Sequence, residues 1–210
     1  MSEKADACPC SGVLLHTCCA PCTVKCAETF TEEGMRPCLY WYNPNIHPCT
    51  EYRARRDALL QYAAYMNLEC KTDDEYGLIP FIRKVLPVFE REEEADRRSA
   101  RPPSARCAVC YRMRLEKTAA RAAEWGFEFF STTLLVSPYQ NHELVRETAE
   151  ECGEKYAVRF LYRDFRPLFR EGKARARDME LYMQKYCGCI FSEEERYLRR
   201  RIPAAGIARA

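Results

Sequence analysis

The residues of this chain best equipped for chemistry are its cysteines, 14 among 210 residues and mostly in tight clusters. They fall as CPC (Cys8, Cys10), CCAPC (Cys18, Cys19, Cys22), CAVC (Cys107, Cys110) and CGC (Cys187, Cys189), with Cys26, Cys38, Cys49, Cys70 and Cys152 standing apart. Thiolates zero to two residues apart converge on one soft metal ion or iron–sulfur cluster, or cycle between dithiol and disulfide. CCAPC and RCAVC form the main constellation. A cubane 4Fe–4S cluster takes about four thiolates, and two loops with two cysteines each supply them. Zinc is the rival, because paired CxxC-type ligands also build tetrahedral sulfur sites. Against zinc, the side chains of a vicinal Cys18–Cys19 pair diverge. Cys22 fits three roles: ligand of the same centre, ligand of an additional metal, or residue of a first helical turn.

YCGC at 186–189 is a different object. A CxC disulfide closes a small, constrained ring, which makes the bond easier to reduce, and Gly188 gives the backbone the freedom such a ring needs. The pair reads either as a redox couple or as two thiols packed in a turn. The chain has neither a G-x-G-x-x-G nor a Walker pattern, so nucleotide triphosphate chemistry has no support. Of the three histidines, His16, His47 and His142, the strongest catalytic candidate is His47, in an Asn- and Pro-rich loop with Tyr52 and Arg53 just beyond. Tyr40, Trp41, Tyr42, Tyr111, Tyr139, Tyr182 and Tyr186 flank these segments. Most are expected in the core, but one at a rim can stack an extruded base.

A formal charge of +2 selects no partner for the whole molecule. Locally, Arg97, Arg98, Arg101 and Arg106 cluster, as do Arg163, Arg166, Arg170, Lys173, Arg175 and Arg177, and then Arg199 to Arg201. Each run is either a solvated helix face or a contact for a polyanion such as RNA. The start MSEKADACPC is polar and the first apolar run, Val13 to Leu15, is too short for a signal or membrane segment. A cytoplasmic, non-membrane protein is expected, and a reducing compartment turns clustered cysteines toward metal or redox use.

The elements that must carry these residues follow from the pattern. Residues 1–11 read as a mobile extension and 12–210 as one catalytic α/β domain. Strands are expected at 12–18, 37–42, 68–71, 127–133 and 158–162. Helices are expected at 22–33, 51–66, 78–94, 110–125 and 138–152, and again from Ser192. Thr50 is placed as a cap, with Tyr52, Leu59, Leu60 and Tyr62 facing inward. The segment ADRRSARPPSARC is a mobile connection. Alternating strands and helices imply a Rossmann-like parallel, doubly wound sheet with its site at the strands' C-terminal ends. CCAPC, NPNIHPC and TLLVSPY all follow strands and should share that rim.

LLHTCCAPC, YWYNPNIHPCTEYRAR, RCAVCYRMRL, STTLLVSPYQNHE, DFRP and YMQKYCGCIFS stand in this order over roughly residues 12–192. Together they resemble the epoxyqueuosine reductase family of the cobalamin-independent, metallocluster type. The resemblance implies reduction of epoxyqueuosine to queuosine at the wobble position of tRNA anticodons, the last step of queuosine biosynthesis. It also implies an adenine-nucleotide alpha-hydrolase-like fold whose glycine-rich first loop is replaced by HTCCAPC. By motif, Cys18, Cys19, Cys107 and Cys110 would hold a 4Fe–4S cluster, and Cys187 and Cys189 would be the redox-active pair. The family often has Asp where this chain has Cys22. Either residue binds iron, so a second metal, a mononuclear iron, is compatible with Cys22. The implied partners are tRNA and an external electron donor. Removing an epoxide oxygen as water takes two electrons and two protons. A cluster passes single electrons, an open iron polarises the oxygen, and a nearby Tyr or His47 is the expected proton donor. Two other functions fit parts of the pattern. A zinc-stabilised RNA-binding module without catalysis leaves CGC without a role, and a thiol–disulfide oxidoreductase has no need of CCAPC.

Overall fold

The computed structural model describes residues 12–95 and 105–198. The N-terminal extension with its CPC motif, most of the Arg- and Pro-rich connection, and Arg199 to Arg201 lie outside them.

The chain opens with β1 (Gly12–His16), whose five residues are all buried. An uninterrupted apolar run of this kind belongs to a strand covered on both faces, as in parallel sheets. α1 (Ala20–Glu32), β2 (Arg36–Trp41), α2 (Cys49–Tyr65) and β3 (Cys70–Thr72) follow, then α3 (Leu78–Ala95) and α4 (Ala105–Glu124) in succession. β4 (Phe129–Thr132), α5 (His142–Tyr156), β5 (Arg159–Phe160), α6 (Phe169–Asp178) and α7 (Ile190–Tyr197) complete the order. The sheet runs β3-β2-β1-β4-β5. Every pairing is parallel, and Leu14 stands between Cys38 and Phe130. The expected doubly wound α/β architecture is thus observed.

From β1 the chain first moves outward through β2 to β3, then returns to the other side of β1. Right-handed crossovers put α1 and α2 on one face and α3, α4 and α5 on the other. Packing agrees: α1 lies against α2 and α6, and α4 against α3 and α5. Between these layers Leu14, Leu15, Phe30, Trp41, Leu59 and Phe130 form part of one continuous core.

Several element boundaries differ from expectation for local reasons. α4 begins at Ala105 rather than near Cys110, so both CAVC cysteines are helical, one turn apart and on one side. α2 starts at Cys49 behind Pro48, and Thr50 does not cap it. On α2, Tyr52, Leu59 and Tyr62 are buried as expected, but Leu60 is exposed. α5 starts at His142 instead of Pro138, because the Asn141 side chain accepts from the Leu144 N–H at 3.2 Å and caps it there.

Candidate metal and redox site

β1 and β4 are neighbours whose connections leave in opposite directions, and the crevice beyond their C-terminal ends is the expected place for a site. The Thr133 hydroxyl, just after β4, bridges it: it accepts from the Cys18 N–H at 3.1 Å and donates to Cys18 Sγ at 3.4 Å. The Asn43 side chain, after β2, donates to the Thr17 carbonyl at 2.8 Å. The three loops following β1, β2 and β4 therefore meet on one rim, as their sequences anticipated.

Cys18, Cys19 and Cys22 place their sulfurs within 4.8 Å of one another. Vicinal residues cannot both face inward from a strand. Here the chain leaves β1 at Cys18, and Cys19 takes the N-cap position of α1, with Pro21 in the first turn. That bend brings Cys18 Sγ to 3.8 Å from Cys19 Sγ, while Cys22 follows on the first turn of the helix. Cys19 and Cys22 are buried and Cys18 half-buried. Hydrogen bonds from the Cys19 and Cys22 thiols and from Thr133 hold the Cys18 thiol well below the ordinary thiol range. Burial above all pushes Cys19 up, and hydrogen bonding to Cys18 above all pushes Cys22 up.

Such a group fits a metal. Two thiolates on one tetrahedral ion, with metal–sulfur bonds of about 2.3 Å, lie roughly 3.8 Å apart. That is the Cys18–Cys19 spacing. The Gln184 amide, from the YMQKYCGC motif, donates to Cys19 Sγ at 2.9 Å and to Cys22 Sγ at 3.6 Å. Cys107 and Cys110 are not part of this close group. Cys110 is buried in a small second cluster with Phe81, Val85 and Met113, against which Cys189 packs. A sulfide-bridged cluster is larger than a single ion and reaches thiolates that one ion does not.

The CGC turn is held from several sides. Arg106, beside Cys107, pairs with Glu195 of α7 at 2.5 Å and lies 5.4 Å over the Phe191 ring. Arg55, 2% exposed, donates to the Cys187 carbonyl at 2.9 Å and the Tyr186 carbonyl at 3.0 Å. Its charge is balanced by Glu51 at 2.7 Å, which in turn accepts from the Tyr182 hydroxyl. The His47 N–H donates to the Gly188 carbonyl at 2.8 Å. Cys189 caps α7, its sulfur accepting from the Ser192 N–H at 3.4 Å. Cys187 is the exposed member of the pair, with the Gln140 amide 3.6 Å from its sulfur. Although one side of Cys187 is open to solvent, desolvation by the protein packed against the rest of it, together with the neighbouring Cys189, raises its thiol to about 11.

Cys18, Cys22, Cys187, Arg55, Arg114 and Gln184 line one pocket of about 260 Å³. A cavity of about 150 Å³ already holds a benzene ring, so a single extruded ring system fits. Tyr139, 76% exposed, stands at its mouth with Phe169, Lys173 and Lys185. His47 is not among the lining residues. Its ring is buried between Tyr76 and Phe81, at 5.6 and 5.3 Å, and neither ring nitrogen has a hydrogen-bond partner. Of the arginines just after it in sequence, Arg53 is exposed and Arg55 reaches the site. Arg55, Arg114, Thr133, Gln140 and Gln184 were not singled out from sequence, although each lies inside a quoted motif. Polar residues embedded in such motifs were the available signal.

Residues 13–195 match the family model described as epoxyqueuosine reductase QueH. A protein of that description from Dehalococcoides mccartyi is 36% identical over 192 residues, covering 91% of this chain and 98% of its own. Another, from Thermotoga maritima, is 36% identical over 186 residues, covering 88% and 91%. Among solved structures, a predicted subunit of a tRNA methyltransferase from Methanocaldococcus jannaschii aligns at TM-score 0.47 and 10% identity, over 80% of this chain and 88% of that one. With cysteines of CCAPC and CGC lining one pocket beside Arg114 of the CAVC helix, and a family match over nearly its whole length, the chain belongs to the epoxyqueuosine reductase QueH family.

Proposed function

We propose that this protein reduces epoxyqueuosine to queuosine at the wobble position of tRNA anticodons, the last step of queuosine biosynthesis. Cys18, Cys19, Cys107 and Cys110 would hold a 4Fe–4S cluster, with Cys22 available to an adjacent mononuclear iron. The observation that carries the reading is that cysteines of CCAPC and CGC line one pocket beside the buried Arg114 of the CAVC helix. When bound, an iron–sulfur centre supplies one-electron transfer and Lewis acidity.

The chain's own residues supply the rest. Oxidation of the Cys187 and Cys189 thiols to a disulfide releases two electrons and two protons. Opening the epoxide to an alkene and water consumes the same number. An external electron donor then returns the pair to the dithiol. Arg55 and Gly188 position the turn, and Cys187 is the sulfur presented to the pocket. Tyr139, Lys173 and Lys185 at the mouth suit an unpaired anticodon loop, which proteins hold by stacking bases and pairing phosphates.

The test is Cys107→Ser, purified without oxygen. Loss of visible colour, iron and epoxide reduction is expected. Retention of all three would refute the ligand assignment. A colourless wild-type protein carrying zinc would instead favour the RNA-binding module without catalysis.

A further inference from the structure

Two guanidinium groups are buried beside the thiols, and they differ in one respect. Arg55 has Glu51 as a counter-charge. Arg114, equally buried at 2% exposure, has no carboxylate partner among the described residues. Its Nε donates to the Cys110 carbonyl at 3.2 Å, its guanidinium lies 5.9 Å over the Tyr111 ring, and its Nη2 is buried with no hydrogen-bond partner. A buried charge without an opposite charge is strongly destabilising, so a position like this persists where an anion completes it.

The side chain lines the pocket with Cys18, Cys22 and Cys187, and its own hydrogen bond is to the backbone of Cys110, so it touches the surroundings of CCAPC, CAVC and CGC alike. Ligand thiols deprotonate when metal binds. Three thiolates on a divalent ion leave a net negative charge, and thiolate-ligated clusters are likewise anionic. The missing anion is therefore the thiolate centre in its loaded form. We infer that Arg114 is the built-in counter-cation of that centre, a positioning residue that has no carboxylate partner of its own and whose charge is matched in full when metal loading makes the surrounding sulfurs anionic. The inference rests on the proposed metal occupancy and extends it to a residue that is not a ligand.

The experiment compares Arg114→Gln and Arg114→Lys with the wild type, each metal-free and iron-reconstituted. The readouts are the difference in Tm between the two forms and the rate at which iron is lost to a chelator. A counter-cation role predicts that Arg114→Gln loses most of the Tm gain on loading and releases iron at least about tenfold faster. Arg114→Lys should restore much of both. A purely structural role lowers both melting temperatures together and leaves the difference and the release rate unchanged, and that result would overturn the inference. Should Arg114→Gln fail to fold, Arg114→Met, which fills the space without a charge, reads the same two quantities. If the wild type takes up no iron but binds zinc, the epoxide-reduction reading fails, and the same comparison with zinc still decides the role of Arg114.

Discussion

Gly188 sits at φ +134°, where L side chains rarely go, and a Cβ there would meet Ile46 Cγ1 at 3.1 Å and Arg55 Nη1 at 3.2 Å. The CGC turn thus depends on glycine for its conformation and for the close approach of the arginine that holds it. Gly188→Ala is expected to leave the protein folded and iron-bound but to cut epoxide reduction at least about tenfold, since misplacing a reacting group by about 1 Å costs more than that. Steady-state assay beside iron analysis checks it, and full activity would show that the turn tolerates a side chain. Tyr139 is the second residue whose role is a matter of exposure. If it stacks a base, Tyr139→Ala raises KM for tRNA about tenfold, from a stacking energy of about 1–3 kcal/mol, with little change in kcat. Equal KM values would remove it from the interface.

At the scale of elements, the site is built from ends: the exit of β1, the first turns of α1 and α4, the turn after β4, and the N-terminus of α7. Helix starts are therefore functional boundaries here. α5 begins where Asn141 caps it, and the Asn141 N–H lies 3.4 Å from the Tyr111 hydroxyl, which donates to Gln140 at 2.7 Å. The cap thereby connects α5 to the Gln140 that reaches Cys187. Asn141→Ala should cost about 1 kcal/mol of stability, read as a lower denaturation midpoint. Iron content should stay the same, because no proposed ligand lies on α5. A loss of iron with unchanged stability would contradict this division of labour.

For the whole molecule, acid sensitivity is predictable. Burial lowers His47 from 6.5 to about 4, so it stays neutral in the fold while the unfolded chain takes up a proton. Stability from this group is complete above pH 6.5 and declines as pH falls toward 4, by on the order of 3 kcal/mol. His47→Phe, which suits a ring lodged between Tyr76 and Phe81, should flatten that part of the profile in denaturant unfolding measured at several pH values. An unchanged acid slope would place the sensitivity elsewhere. The same variant also tests His47 as proton donor: retained epoxide reduction leaves it a structural residue. No helix among the described residues is long and apolar enough to cross a membrane.

Apolar runs at strand and helix periods, together with cysteine spacing, make the parallel α/β architecture, the shared rim and the three chemical motifs legible before any coordinates. These are local properties, because periodicity and short-range spacing are written into neighbouring residues. Tertiary structure decides the rest. Arg53 and Arg55 are indistinguishable in sequence, yet the phase of α2 exposes one and buries the other against the CGC turn. The helical start at Ala105 moves Cys107 from the connection onto the same helix as Cys110. Likewise, only tertiary packing leaves Arg114 buried with an unpartnered nitrogen in the cysteine-lined pocket. Which charges are buried, and whether anything balances them, depends on residues remote in sequence, and chain closure alone brings those together.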